Sequence, residues 1–212
     1  MPLRVAIIDD HHLICLGLSH MLAGFPDIQV VGTADSGEKA IQLVRETRPD
    51  VLLMDLEMPG MGGHEASLRL MREWPELRII MLSVTVSGPM PARLLQDGVA
   101  GYLTKGADLD EVVMAIRRAA AGERYVNPAM AQTLALQQHA PASLDDPFGQ
   151  LSARELQVLE RIVRGHRLQD IAVELHLSPK TVSTYRARLL QKLHADSDIA
   201  LARLALDHGL IR

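Results

Sequence analysis

The chain is poor in cysteine, in aromatic side chains and in long apolar runs, and each shortage closes off a class of protein. A single cysteine, Cys15, leaves no internal disulfide to form, so the chain is no disulfide scaffold and suits a reducing cytosol. No uninterrupted apolar run approaches the ~20 residues that span a bilayer, and the opening MPLRVAIIDD carries charge too early for a secretory signal. The expectation is a soluble, cytoplasmic protein with no membrane partner. Aromatic residues make up only 3% of the chain against 48% hydrophobic residues, so its cores must pack from aliphatic side chains. At 212 residues the chain exceeds one average domain and falls short of two large ones.

Net charge is small, −4, but unevenly spread. Residues 1–124 hold 12 Lys+Arg and 17 Asp+Glu (−5), residues 125–150 add Asp145 and Asp146 (−2), and residues 151–212 hold 10 against 7 (+3). An acidic first part joined to a mildly basic second part implies two domains with different partners.

Hydrophobic period orders the first part. Residues 3–9, LRVAIID, form an apolar strand ending in the acidic pair Asp9-Asp10. Residues 11–23 read as a helix with Leu13, Leu16, Leu18 and Leu22 on its apolar face, 28–32 as a strand, and 36–45 as a helix opening on the capping-type residues Ser36 and Glu38. VLLMDLEMPG, residues 51–60, is a buried parallel strand that delivers Asp55 to its C-terminal end before the break at Met58-Pro59-Gly60. A helix at 62–72 and a strand at 78–83 follow, then a helix whose start Gly88, Pro89 and Pro91 delay to about Ala92. A short strand at 100–103 and an amphipathic helix at 109–121 close the series. Five strands alternating with helices predict a five-stranded parallel, doubly wound, flavodoxin-like sheet over residues 1–122.

Polar residues end four of those strands: Asp9-Asp10, Asp55, Ser83 and, two residues past Leu103, Lys105. Parallel strands end on one edge of the sheet, so right-handed crossovers bring these groups together. Three carboxylates in one place repel and need a cation, and an oxygen-rich pocket suits Mg²⁺. With that ion and Lys105 neutralising phosphoryl oxygens, Asp55 can act as a nucleophile and form an acyl phosphate, to which Ser83 can hydrogen-bond. Three other features are set aside. His11 and His12 read as solvated first-turn histidines, because adjacent residues at a helix start point in different directions. Cys15 has no neighbouring cation in sequence to activate it. The glycines of residues 59–63 lack the Lys and Ser/Thr of a phosphate loop and make a turn.

These residues resemble the receiver domains of two-component response regulators over residues 3 to about 121, through Asp9-Asp10, Asp55 with Met58-Pro59-Gly60, Ser83, and Gly101-Tyr102-Leu103-Thr104-Lys105. The resemblance implies that Asp55 is the phosphoacceptor, that Asp9, Asp10, Asp55 and the backbone carbonyl of Glu57 hold Mg²⁺, and that Ser83 and Tyr102 form a switch pair. A sensor histidine kinase would then be the phosphoryl donor. Two other readings stay open: a receiver that serves only as a dimerisation or interaction module, and a Mg²⁺-dependent phosphatase using Asp55. The second finds Glu57 where such enzymes place an Asp general acid.

Residues 123–149 read as a linker with a possible short helix at 129–138, and HAPASLDDPFGQ as its flexible end. Residues 150–212 form a small all-α domain. Ser152 and Glu155 make a capping box for a helix to about Arg164; a short helix at 168–175, a turn at His176-Leu177 and a helix from Ser178-Pro179 to Leu193 outline a helix-turn-helix. Val182, Tyr185, Leu189 and Leu193 share the inward face, leaving Lys180, Ser183, Thr184, Ala187 and Arg188 outside. Residues 150–210 resemble the LuxR-type DNA-binding domain, and the combination resembles the NarL/FixJ class of transcriptional regulators. That implies base contacts by Ser183, Thr184 and Ala187, phosphate contacts by Lys180, Thr181, Arg188 and Lys192, and a last helix, 197–208, that dimerises through Ile199, Ala202, Leu204 and Ala205 or packs in the core.

Overall fold

Strands such as VAII and VLLM carry no polar alternate, so both their faces must be covered, and helices between parallel strands cover both. The computed structural model describes residues 1–84, 90–127, 131, 147–149, 151–175, 177–208 and 210–211. It divides into two units, Met1–Ala135 and Leu136–Arg212. The expected helix at 129–138 and the segment Gly88-Pro89 lie outside the described residues, apart from Ala131.

In the first unit β1 (Leu3–Ile8), β2 (Ile28–Ala34), β3 (Val51–Asp55), β4 (Arg78–Ser83), β5 (Gly101–Thr104) and β6 (Tyr125–Val126) form one parallel sheet in the order β2-β1-β3-β4-β5-β6. The intervening helices are α1 (His12–Leu22), α2 (Gly37–Thr47), α3 (Gly63–Glu73), α4 (Met90–Asp97) and α5 (Leu109–Ala120). Val5, Ile7, Val51, Leu53 and Leu82 pack in one core with Cys15 and Leu22 of α1 and Val112 and Ile116 of α5. Alternate residues Ala6, Ile8, Leu52, Met54 and Met81 are equally buried.

Three expectations need correction. The sheet has six strands, not five: Tyr125 and Val126 pair with Gly101 and Tyr102 inside what reads as linker, and a two-residue strand is too short to show a period. The inward face of α1 is Cys15 and Leu22, with Leu18 partly buried, whereas Leu13 and Leu16 are 81% and 54% exposed. Two apolar stripes compete on this helix, and packing on the sheet selects the one that contains Cys15. Helix α4 (Met90–Asp97) already includes Met90 and Pro91 and does not wait until Ala92, because a proline in the first turn removes an N–H that has no intrahelical partner.

The second unit contains α6 (Ala153–Val163), α7 (Leu168–Glu174), α8 (Pro179–Lys192) and α9 (Asp198–Asp207). Leu156, Leu159, Ile171, Val182, Leu189, Leu201 and Ala205 are buried. The capping box forms as expected: Ser152 Oγ accepts from the Glu155 N–H at 3.2 Å, and the Ser152 N–H donates to Glu155 Oε2 at 2.7 Å. Phe148, in the stretch read as linker, is 5% exposed and meets the His208 ring edge-on at 5.9 Å.

Candidate phosphoacceptor pocket and helix-turn-helix

Strands β1, β3, β4 and β5 are consecutive in the sheet, so their C-terminal ends form one row. Asp9 follows β1 and is 1% exposed; Asp55 ends β3 at 1%; Ser83 ends β4 at 3%. Lys105 follows β5, and its N–H donates to the Ser83 carbonyl at 2.8 Å, which ties the ends of β4 and β5. The Lys105 ammonium lies 2.8 Å from Asp9 Oδ2 and 2.9 Å from Asp55 Oδ2. Asp55 Oδ1 accepts from the Glu57 N–H at 3.2 Å. The turn below is tight: a Cβ on Gly63, the first residue of α3, would stand 1.8 Å from the Asp55 carbonyl oxygen.

Charge is under-compensated here. Burial pushes the Asp55 carboxyl up to about 6, with Asp9 adding to the rise and Lys105 opposing it. Burial also works against the Lys105 charge, but its contacts with Asp9 and Asp55 outweigh that and raise the ammonium above its ordinary value. Asp9 Oδ2, Asp10 Oδ1 and Asp55 Oδ2 are buried, and Asp9 Oδ2 and Asp55 Oδ2 share one ion-pair partner, the Lys105 ammonium. Three carboxylates facing one ammonium therefore leave a buried negative site of oxygen donors, which fits a hard divalent cation.

The structure brings Asp9, Asp10, Asp55, Ser83 and Lys105 to one edge, as their positions at strand ends require. Glu57 joins through its backbone N–H, and its side chain is exposed. Tyr102, on β5, is 1% exposed, with its ring inside the protein. His11, set aside in the sequence, also belongs to the cluster: its Nδ1 is 2.9 Å from Asp10 Oδ1 and 3.2 Å from Asp9 Oδ1. The helical-projection argument fails because His11 is the N-cap of α1, with extended backbone (φ −86°, ψ 94°), and not a helical residue. Recognising the cap in Asp9-Asp10-His11 would have found it. Beside the carboxylates an open cavity of about 550 Å³ runs between α1 and α2, lined by His12, Cys15, Asp35 and Lys39 among others.

On α8, Ser178 caps the helix by accepting from the Thr181 N–H at 3.0 Å, and its hydroxyl meets Thr181 Oγ1 at 2.7 Å. The Thr181 side chain thus serves the cap and is only partly exposed. Lys180, Ser183, Thr184, Ala187 and Arg188 are exposed together, with the Thr184 hydroxyl donating back to the Lys180 carbonyl at 3.0 Å. Lys192 is placed differently: its ammonium sits 2.7 Å from Glu155 Oε2, the oxygen that also accepts from the Ser152 N–H and hydroxyl. That tie between α6 and α8 was not legible in the sequence. On α9 Leu201 and Ala205 are buried, while Ile199 and Leu206 are 82% and 55% exposed.

Comparison with known proteins identifies both domains. Residues 5–117 match the response regulator receiver domain, and residues 149–205 match the bacterial regulatory proteins of the luxR family. The chain is 48% identical over 209 residues to the response regulator GacA of Pseudomonas aeruginosa, covering 99% of this chain and 98% of that protein. It is 44% identical over 208 residues to UvrY of Escherichia coli, covering 98% and 95%. Among solved structures, a LuxR-family two-component response regulator from an Aurantimonas species is 33% identical with a TM-score of 0.61, covering 65% of this chain and 99% of that one. The RcsB response regulator of Salmonella typhimurium shares the fold at 24% identity and a TM-score of 0.67, covering 99% of both. The chain therefore belongs to the NarL/FixJ-type response regulators, DNA-binding transcriptional regulators in which a receiver domain precedes a LuxR-type helix-turn-helix.

Proposed function

We propose that phosphorylation of Asp55 by a partner histidine kinase switches this regulator's binding to promoter DNA. The observation that carries the reading is Asp55 itself, a carboxylate that is 1% exposed at the end of a parallel strand, with Lys105 Nζ at 2.9 Å. An Asp55 oxygen attacks the phosphorus of the donor's phosphohistidine, the P–N bond breaks, and the imidazole nitrogen leaves with the electron pair. Lys105 holds a phosphoryl oxygen, and the Glu57 N–H keeps the other Asp55 oxygen oriented. Asp9, Asp10, Asp55 and the Glu57 carbonyl would hold Mg²⁺, which supplies neutralisation of the phosphoryl charge. Ser83 donates its hydroxyl to the phosphoryl group, and Tyr102 reports the change through its buried ring on β5.

Output passes through α8. Lys180 and Arg188 contact phosphates, while Ser183, Thr184 and Ala187 present small or hydroxyl-bearing surfaces to base edges. Thr181, at the cap, and Lys192, tied to Glu155, lie at the margins of that surface. A homodimer forms through α9, where Ile199 and Leu206 lie open to solvent. The boundaries expected from the sequence are 1–122 for the receiver, 123–149 for the connecting segment and 150–212 for the DNA-binding domain, with β6 carrying the receiver's sheet on to Val126.

The test uses the full chain with acetyl phosphate and Mg²⁺, reading Asp55 labelling, oligomeric size and binding to source-genome fragments at fixed salt. Labelling should accompany tighter, sequence-specific binding and dimer formation, and Asp55→Asn should abolish labelling with the fold intact. Labelling that persists in Asp55→Asn sinks the phosphoacceptor assignment. DNA binding indifferent to a labelled Asp55 sinks the switch.

A further inference from the structure

Aspartyl-phosphate chemistry gives no task to the imidazole of His11, although that ring stands at the carboxylates. Its Nδ1 lies 2.9 Å from Asp10 Oδ1 and 3.2 Å from Asp9 Oδ1. One donor atom each from Asp9, Asp10, His11 and Asp55 falls within 4.8 Å of the others. Donors held at about 2.1 Å by a six-coordinate ion stand about 3.0 Å apart when adjacent and about 4.2 Å apart when opposite, so a set that spans no more than 4.8 Å need draw in by only about half an ångström to form a coordination shell. Asp9 Oδ2 and Asp55 Oδ2 share the single Lys105 ammonium and Asp10 Oδ1 faces the His11 ring, none with a well-formed hydrogen bond, so the buried negative charge exceeds its compensation and calls for a cation in the same space.

The ring is held where it is by the backbone. The His11 N–H donates to Asp9 Oδ1 at 2.8 Å, and the extended N-cap conformation carries the side chain back toward the strand end instead of along α1. The side chain is 65% exposed, so it can turn its nitrogen onto an ion without repacking the core. Carboxylates alone suit Mg²⁺, whereas an imidazole among them favours borderline ions such as Co²⁺, Ni²⁺ and Zn²⁺.

We propose that His11 Nδ1 is a ligand of the acidic pocket and biases it toward divalent transition-metal ions over Mg²⁺. Such an ion takes the carboxylates that Mg²⁺ uses, so the state of the receiver depends on the ratio of the two ions as well as on the phosphoryl donor. The inference rests on the reading of the pocket as a cation site. The test is direct binding to the full chain in the absence of phosphoryl donor. Calorimetry gives Co²⁺ and Mg²⁺ affinities for the unaltered chain and for His11→Gln, and pulsed electron paramagnetic resonance of bound Mn²⁺ detects any directly coordinated nitrogen. The expected results are an imidazole nitrogen coupling that disappears in His11→Gln and a preference for Co²⁺ over Mg²⁺ that falls by about tenfold or more. Asp10→Asn, which removes a carboxylate of the same shell, should weaken both ions and so locate them. A nitrogen coupling that survives His11→Gln, or equal loss of both ions, overturns the role of His11. Failure of either ion to bind the unaltered chain overturns instead the cation pocket itself.

Discussion

Replacing the phosphoacceptor should stabilise the metal-free receiver. Asp55 is 1% exposed, and its carboxyl is pushed from the ordinary 3.8 up to about 6, first by burial and then by Asp9. The folded state therefore holds the Asp55 proton more tightly than the unfolded chain. Below pH 3.8 both states are protonated and nothing is lost; as pH rises through the interval to about 6, the folded state loses stability, and above it the loss is complete. That gap, at about 1.4 kcal/mol per pH unit, amounts to about 3 kcal/mol. Asn keeps the shape and the neutral charge of the protonated acid, so Asp55→Asn should recover about 3 kcal/mol at pH 8 in chelator, or roughly 10 °C in midpoint for a domain of this size. Urea unfolding followed by the single tryptophan, Trp74, reads the receiver alone. The gain should shrink steadily between pH 6 and pH 4, and saturating Mg²⁺ should narrow it by stabilising the unaltered chain. An Asp55→Asn protein that is no more stable than its parent at pH 8 without metal would refute the claim that the pocket is an uncompensated buried negative site.

The same value bears on reactivity: labelling by acetyl phosphate should rise with pH and level off with a midpoint at or below about 6, since a bound cation can only lower it, and a midpoint above 7 would remove Asp55 ionisation as the cause. Gly63→Ala should cost about 3 kcal/mol or more and abolish labelling, because its methyl would stand 1.8 Å from the Asp55 carbonyl oxygen; a variant that labels normally contradicts the close approach. Lys192→Ala should destabilise the helical domain by about 2 kcal/mol, as it leaves the buried Glu155 carboxylate without its cation, and adding Glu155→Gln should return part of the loss in thermal unfolding. Burial alone would raise the Glu155 carboxyl, but bonds from Lys192 and Ser152 hold it below its ordinary 4.5, so the stability it contributes is present above that pH and lost in acid.

Much of the receiver was legible because buried parallel strands are continuous apolar runs, and the polar residue that ends each run stands out against them. Leu52, Leu53 and Met54 are 0% exposed, and Asp55 follows directly. Two caps were equally plain: Ser36 and Ser152 each accept an N–H where a helix begins. What stayed hidden has no local signal. The two residues of β6 are a strand only because β5 lies beside them. Leu13 and Leu16 have the spacing of a core stripe, yet the sheet takes Cys15 and Leu22.

Sequence by itself determined the strand-and-helix order, the carboxylates, hydroxyl and lysine at the strand ends, and the exposed polar face of the helix-turn-helix, since all follow from period, caps and charge along the chain. Only the tertiary structure decided which groups share a charge. The Glu155 carboxylate meets Lys192 across 37 residues, and the His11 ring, though exposed, reaches Asp9 and Asp10 because its backbone is a cap and not a helix. Electrostatic partnership depends on distance through space, and pattern along the chain does not contain it.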